Sequence, residues 1–188
     1  MGIKRIRDWS YPAVEDIEGL LQWARDHHRE HMEESAARIL DLSEFDHAKY
    51  MSDVYLSSTQ ANLVDTTWTT VELDTEITDS GSRFDTTTFT YTSPMERKYY
   101  VSGSVAFTNC VVDKWYAMRI LKGASTTVLS SAQYITTGNA LVQGSRLISL
   151  DAGDTLKLQA ISYSGDNTVD VYGNATVQTT WMTVYIVG

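Results

Sequence analysis

The stretch from Leu150 to Ala160 limits the possible folds of this chain more than any other part of the sequence. It contains Gly153 and Asp154, which are typical turn residues, because Gly tolerates positive φ and Asp hydrogen-bonds its own backbone. Apolar residues precede this turn and alternate with polar residues after it: Leu147, Ile148 and Leu150, then Leu156, Leu158 and Ala160. Such a pattern predicts two strands joined by a tight turn.

The final run, from Trp181 to Val187, is apolar on both faces of the strand that it predicts. One face carries Trp181, Tyr185 and Val187, and the other carries Met182, Val184 and Ile186. A strand that is apolar on both sides is covered on both sides. In an antiparallel all-β domain one cover is the sandwich core, and the other is most simply a neighbouring subunit.

An alternation with a period of two residues continues through most of the chain after Trp68. It predicts strands at 68–73, 87–92, 99–108, 115–122, 126–135, 140–150, 155–163, 169–172 and 181–187, and a loop at 74–85. Many short strands at near-regular spacing indicate a sandwich or a barrel.

The composition changes near residues 48 to 66, where dense charge gives way to Thr, Ser, Val, Tyr and Gly. We therefore predict two regions: residues 1–56, a leader with a helical anchor region, and residues 57–188, the β domain. In the first region Ser10 is a candidate helix cap. Apolar residues then recur at helical spacing: Val14, Ile17, Leu20, Leu21 and Ala24. Two forms of these helices stay open, a three-stranded coil and short amphipathic helices that dock on another protein.

The first residues are both basic and aromatic, with Lys4, Arg5 and Arg7 among large apolar side chains. This leader either packs back on the helix or inserts into a partner. The residues that would anchor the chain in a partner are Ile3, Ile6, Trp9 and Tyr11 of the leader and Ile17 and Leu21 of the helix.

The net charge of −9 argues against a nucleic-acid partner, because no basic stripe offsets the acidic side chains. The basic N-terminus lacks the apolar region that follows in a signal peptide. No apolar run approaches the length that spans a bilayer. We therefore expect synthesis in a cytosol without a signal peptide, and no membrane insertion.

The sequence offers little catalytic chemistry. Residues 57–188 contain no histidine, no Gly-rich phosphate loop and no nucleophile elbow. Cys110 is the only cysteine, and a small, half-buried apolar role suits it better than that of a nucleophile. We therefore predict a protein that is not an enzyme and has no cofactor.

Two groups of residues are candidates for metal binding. The first is the four histidines: His27, His28, His31 and His47. They lack the spacing of metal ligands, so we predict solvated or interfacial roles for them, and a pH-sensitive interface is the alternative. Seven aspartates fall in or beside predicted loops: Asp79, Asp85, Asp113, Asp151, Asp154, Asp166 and Asp170. Their spacing indicates no convergence on one point, so we predict that they form turns, and calcium in these loops is the alternative.

Five segments of the sequence, in their order along the chain, resemble the complement-globular-head and tumour-necrosis-factor-like jelly-roll family. They are 68–73 with Asp79, Phe84 to Pro94, Tyr99 to Phe107, Leu150 to Leu158, and Trp181 to Val187. The sequence departs from the family pattern at Arg97, where the family usually has Gly. The resemblance covers roughly Gln60 to Gly188. It implies a mainly β fold, a ten-strand antiparallel jelly-roll sandwich, which here follows a short α-helical N-terminal region.

The resemblance also implies a homotrimer, with the inner sheet and the last strand packed at the threefold axis. Aromatic residues are enriched at interfaces. The interface candidates are Tyr163, Tyr172, Trp181, Tyr185 and Val187. For the three tyrosines the alternative is an ordinary place in the sandwich core.

Trimeric jelly rolls of this type recur on virion surfaces as decorations, short fibres and adhesin tips. We therefore expect a structural protein on the surface of a tailed-bacteriophage particle, made in the host cytoplasm. Its N-terminal helical foot would dock on a capsid, portal or tail protein, and its trimeric head would face outward. The alternative function is an adhesin module that attaches to a host cell-surface glycan or protein.

Overall fold

The computed structural model describes residues 50–136 and 138–187. These residues form two antiparallel β-sheets and contain no α-helix. The strands are β1 (Ser52–Tyr55), β2 (Ser58–Gln60), β3 (Thr69–Thr70), β4 (Thr75–Asp79), β5 (Phe84–Asp85), β6 (Thr90–Thr92), β7 (Arg97–Thr108), β8 (Lys114–Lys122), β9 (Thr126–Ile135), β10 (Ala140–Leu150), β11 (Thr155–Ser162), β12 (Asp170–Asn174) and β13 (Trp181–Ile186).

One sheet has seven strands and is built around β7. β10 pairs with one edge of β7, from Ala140 opposite Phe107 to Leu150 opposite Arg97. The other edge of β7 pairs with β13 from Tyr99 to Ser104 and with β12 at Phe107 and Thr108. β13 pairs in turn with β1, β1 with β4, and β12 with β2.

The other sheet has six strands in the order β5, β6, β11, β8 and β9, with β3 also on β11. The predicted turn at Gly153 and Asp154 is present, and it carries the chain from β10 in one sheet to β11 in the other. Gly153 has φ 86°, a backbone conformation that favours glycine. The Asp154 carboxylate accepts a hydrogen bond from the Asp151 amide at 2.7 Å, which closes the turn.

The core lies between the two sheets, where alternate side chains of each strand meet. β7 contributes Val101, Val105 and Phe107, and β11 contributes Leu156 and Leu158, all at most 1% exposed. Gly103 of β7 lies among them, and a Cβ there would come within 3.3 Å of Leu158 Cδ1. Close packing of this kind makes core substitutions costly in stability.

The long strands agree with the sequence pattern. The bounds of β7 to β13 lie within two residues of the predicted strands from 99–108 onward. The burial alternates most clearly in β12 and β13, where every second residue is buried, and burial of one face is what an alternating pattern predicts. The mainly β, antiparallel, two-sheet fold is therefore confirmed.

The short strands differ from the predictions. Within the described residues there are thirteen strands rather than ten. The predicted strand at 68–73 contains only the two residues of β3, and the predicted loop at 74–85 contains β4 and β5. The predicted strand at 87–92 is extended only from Thr90, because Asp85 caps a turn and Phe89 has φ 54°.

The N-terminal predictions fall mostly outside the described residues. The anchor candidates (Ile3, Ile6, Trp9, Tyr11, Ile17 and Leu21), the four histidines and the helices themselves all lie there. The compact unit that contains the sheets runs from His47 to Gly188. Its first strand, β1, therefore lies ahead of residue 57 and pairs with β13 inside the seven-stranded sheet.

Candidate functional site

The outer face of the seven-stranded sheet is the side of that sheet that points away from the sandwich core. On β13 it carries Trp181, Thr183 and Tyr185, which are half-buried. The alternate residues of β13 point into the core and are at most 5% exposed: Met182, Val184 and Ile186. The prediction that one face of the last strand packs in the sandwich core is confirmed.

Two tyrosines lie side by side on the outer face. Tyr100 of β7 is directly opposite Tyr185 of β13, and their ring centroids are 5.0 Å apart with an interplanar angle of 30°. On the other side of Tyr100, Leu147 of β10 is its direct partner and is 57% exposed. Three neighbouring strands therefore present three large apolar side chains to the outside.

A small cavity lies beside Trp181. Its volume is about 270 Å³, and it is lined by Asp53, Ile77, Gln178, Trp181 and Thr183. The Thr183 hydroxyl donates to Asp53 Oδ1 at 2.8 Å, which fixes the carboxylate on the cavity wall. Small-molecule sites usually measure about 300–1,000 Å³, so this space suits a protruding side chain better than a cofactor.

The centre of the outer face is made of small side chains. The outward-facing residues of β7 beyond Tyr100 are at most 9% exposed: Ser102, Ser104 and Ala106. Leu141 of β10 lies opposite Ala106 and is 49% exposed. These small side chains make the centre of the face shallow, so another protein surface can approach the sheet closely there. Trp181, the tyrosine pair and the two leucines border this centre.

Four of the five predicted interface residues lie on or at this outer face. Trp181 and Tyr185 are within β13, and Val187 follows it, with its amide donating to the Lys98 carbonyl at 2.9 Å. Tyr172 of β12 points outward, because its neighbour Val171 is buried opposite Phe107. Its hydroxyl accepts a hydrogen bond from Asn174 Nδ2 at 3.0 Å.

Tyr163 lies elsewhere. It follows β11 in the six-stranded sheet and is 46% exposed, and its amide donates to the Trp115 carbonyl at 3.0 Å. The structure therefore does not bring Tyr163 together with the other four candidates.

Tyr100, Leu141 and Leu147 were not among the predicted interface residues. Tyr100 is followed at alternate positions by Ser102 and Ser104, so the sequence pattern places it on a polar face of its strand. The signal that could have found Tyr100 is the pairing of β7 with β13, since it places two tyrosines opposite each other. Strand pairing of this kind is not visible in a single sequence.

The Asp85, Asp154 and Asp166 carboxylates close turns, as predicted, whereas Asp170 accepts from the Asn62 amide and from Asn109 Nδ2, which are distant in sequence. The Asp85 carboxylate accepts from the Thr87 amide at 2.8 Å and from the Thr88 hydroxyl at 2.8 Å, and these bonds lower its pKa. Asp154 also forms an ion pair with Lys122, and this side-chain bond is the main cause that lowers the pKa of Asp154. Among residues 50–136 and 138–187, no three His, Cys, Asp or Glu side chains form a group that could hold a metal ion.

Cys110 is half-buried, and desolvation raises the pKa of its thiol to about 11. The thiol is therefore protonated at neutral pH, and a thiolate nucleophile is not available there. In the part of the chain that the structure describes, no helix has both the length and the apolar character needed to cross a bilayer.

Comparison with solved structures identifies the class of fold. The globular domain of zebrafish complement 1qA protein matches 74% of this chain and 98% of its own length, with a TM-score of 0.56 and 13% identity. Eiger, a TNF from S. frugiperda, matches 74% of this chain and 92% of its own, with a TM-score of 0.57 and 8% identity. Murine APRIL matches 73% of this chain and 98% of its own, with a TM-score of 0.53 and 10% identity.

A scan of protein-family models and a search of curated sequences find no match to this chain. At such low identities the structural likeness shows the fold alone. The described domain therefore has the jelly-roll fold of complement globular heads and TNF-like proteins, which confirms the fold that the sequence motifs implied.

Proposed function

We propose that this chain is a non-enzymatic structural protein that assembles as a homotrimer through the outer face of the seven-stranded sheet. The observation that carries the proposal is the apolar character of that face on β13 and its neighbours. Leu147 is exposed there, and Tyr185, Tyr100 and Trp181 are only half-buried by the described residues. The family resemblance supports three copies around one axis.

The residues of the outer face suit an assembly interface. Protein interfaces are enriched in aromatic residues at their centre, and apolar surface contributes roughly 25 cal/mol for each Å² removed from water. The aromatic anchors lie on β7 and β13, and β10 adds the exposed Leu141 and Leu147. The small side chains between them leave room for a neighbouring copy.

We also propose that the trimer is part of a tailed-bacteriophage particle, as a head decoration or short fibre on the virion surface. The support lies in the sequence: an acidic, Thr-rich β domain follows a segment with helical periodicity and a basic, aromatic leader. Such a segment suits docking on a capsid, portal or tail protein. Three docking segments on one axis would also bind jointly, since multivalency raises the avidity of weak contacts.

Light scattering of the purified full-length chain tests the assembly. We expect three times the chain mass of 21.1 kDa. The double variant Trp181→Ala, Tyr185→Ala removes two apolar anchors from the outer face and should shift the mass toward one chain. Tyr163→Ala is the matched control, because it removes a partly exposed tyrosine from the other sheet, and its mass should stay that of the trimer.

A monomeric wild-type chain would contradict the proposal. Loss of the trimer in Tyr163→Ala, with the double variant still trimeric, would place the interface on the six-stranded sheet instead. Circular dichroism of each variant establishes that it is folded before its mass is interpreted.

A further inference from the structure

The outer face of the six-stranded sheet carries exposed aromatic side chains that the assembly surface does not use. Trp115 of β8 lies directly opposite Tyr134 of β9. Their ring centroids are 5.3 Å apart with an interplanar angle of 61°, an edge-to-face arrangement that aromatic pairs prefer. Trp115 is 52% exposed and Tyr134 is 45% exposed.

Tyr163 extends this pair across a third strand. Tyr116 of β8 is paired with Ser162 of β11, and the Tyr163 amide donates to the Trp115 carbonyl at 3.0 Å, one position further along. Tyr163 therefore stands beside Trp115 on the same face, since directly opposite residues share a face of the sheet. Tyr134, Trp115 and Tyr163 form what we name the aromatic row.

A carboxylate lies at one end of the aromatic row. Asp113 lies next to Tyr134, whose pKa is raised by desolvation and then by the Asp113 carboxylate. Asp65, near the other end, is engaged on the opposite side of the strand, because it accepts hydrogen bonds from Ser162 and Ser164, whose buried side chains alternate with the exposed Tyr163.

The whole chain carries a net charge of −9, which favours the approach of a cationic partner over an anionic one. A purely apolar partner would have to desolvate the Asp113 carboxylate without pairing it, which is costly. A cationic partner pairs it.

On the same face, one aromatic ring already contacts a cationic side chain of this chain. Arg119 of β8 holds its guanidinium carbon 4.3 Å from the centroid of the Trp68 ring. Its Nε donates to Gln159 Oε1 at 2.8 Å, which holds the guanidinium group in place. An indole ring beside a hydrogen-bond acceptor therefore binds a guanidinium group within this sheet, and the aromatic row offers exposed rings beside the Asp113 carboxylate in the same way.

We propose that the aromatic row binds a positively charged peptide segment of a partner protein. Arginine or lysine side chains lie over the rings of Trp115 and Tyr163, and the Asp113 carboxylate at the rim pairs with the charge. Cation–π contacts and charge-assisted hydrogen bonds act together in this arrangement. The proposal concerns a surface on the opposite sheet from the assembly surface and does not depend on the trimer.

The test uses the full-length chain and a dye-labelled hexa-arginine peptide, with binding followed by fluorescence anisotropy at low ionic strength. A hexa-citrulline peptide has nearly the same shape without the charge and should not bind. Trp115→Ala and Tyr163→Ala should each weaken hexa-arginine binding by about fivefold, from the usual strength of a cation–π contact. Asp113→Asn should weaken it to a similar extent.

Glu96→Gln is the matched control for charge. Glu96 is an exposed carboxylate just before β7, at the opposite end of the sandwich from Trp115, which follows the end of β7. Its loss should leave hexa-arginine binding unchanged. If Glu96→Gln weakens binding as much as Asp113→Asn does, the peptide responds only to the net charge of the protein, and the proposed site is wrong.

Two further outcomes would also overturn the proposal. Binding of neutral maltohexaose, lost in Trp115→Ala, without binding of hexa-arginine would make the row a carbohydrate site. A mass that rises with protein concentration in the wild type but not in Trp115→Ala would make it a contact between copies of this chain. Circular dichroism spectra of the variants exclude misfolding as the cause of weaker binding.

Discussion

Among the glycines that the structure describes, Gly173 is the one at which a side chain would have the least room. It lies in β12 opposite an irregularity in the pairing with β2. A Cβ at this position would stand 2.3 Å from the Ser58 carbonyl oxygen and 2.7 Å from Leu56 Cγ. The backbone of the neighbouring strand cannot move aside without breaking its own pairing, so the sequence needs glycine here for close backbone approach.

Gly173→Ala is therefore expected to destabilise the domain by about 3 kcal/mol, at the upper end of the usual cost of overpacking. Urea unfolding followed by tryptophan fluorescence measures the change in the free energy of unfolding. Gly138→Ala is the control, since a Cβ there meets no atom within 4 Å. Equal stability of the two variants would mean that β2 gives way to the added methyl group at little cost.

At the scale of elements, the sequence predicted strands that bury alternate side chains and missed those that do not. β4 has one large apolar residue, Ile77, and that side chain is 51% exposed. Its place in the sheet comes from pairing with β1, a partner distant in sequence. β2 is likewise exposed or half-buried. β1 buries three of its four residues, but it lies where the change in composition suggested a boundary rather than a strand.

β1 determines how short a fragment of the β domain can be and still fold. Val54 is fully buried, and β1 pairs with β13 on one side and β4 on the other. We expect a fragment of residues 47–188 to unfold cooperatively on heating, followed by circular dichroism. A fragment of residues 57–188 lacks this inner strand and should show no cooperative transition. A cooperative transition in both fragments would contradict the assigned role of β1.

At the scale of the whole molecule, the candidate assembly surface was predictable in part. The doubly apolar pattern from Trp181 to Val187 indicated an outward-facing apolar side, and the structure places Trp181 and Tyr185 there. The grouping of Tyr163 with them rested on residue type alone. Which sheet a tyrosine joins depends on strand order, and in this chain β11 pairs with β8 rather than with β13.

The proposed place on a particle makes a prediction for the whole chain. Full-length protein produced during infection should sediment with purified virions, whereas residues 47–188, without the proposed anchor, should remain in the supernatant. Gradient centrifugation followed by detection of the protein in each fraction measures this. Recovery of the shortened protein with the particles would contradict the anchoring role, and absence of the full-length chain from them would contradict the virion role.

The pairing of β1 with β13 also has a consequence for synthesis on the ribosome. Ser52 lies opposite Val184, so β1 can pair with β13 only after nearly the whole chain has been synthesised. β7 likewise receives its partners β10, β12 and β13 only later. At about 5–20 residues per second, the nascent chain keeps unpaired apolar strands for on the order of ten seconds. We therefore expect the seven-stranded sheet to be completed only after β13 has left the ribosome.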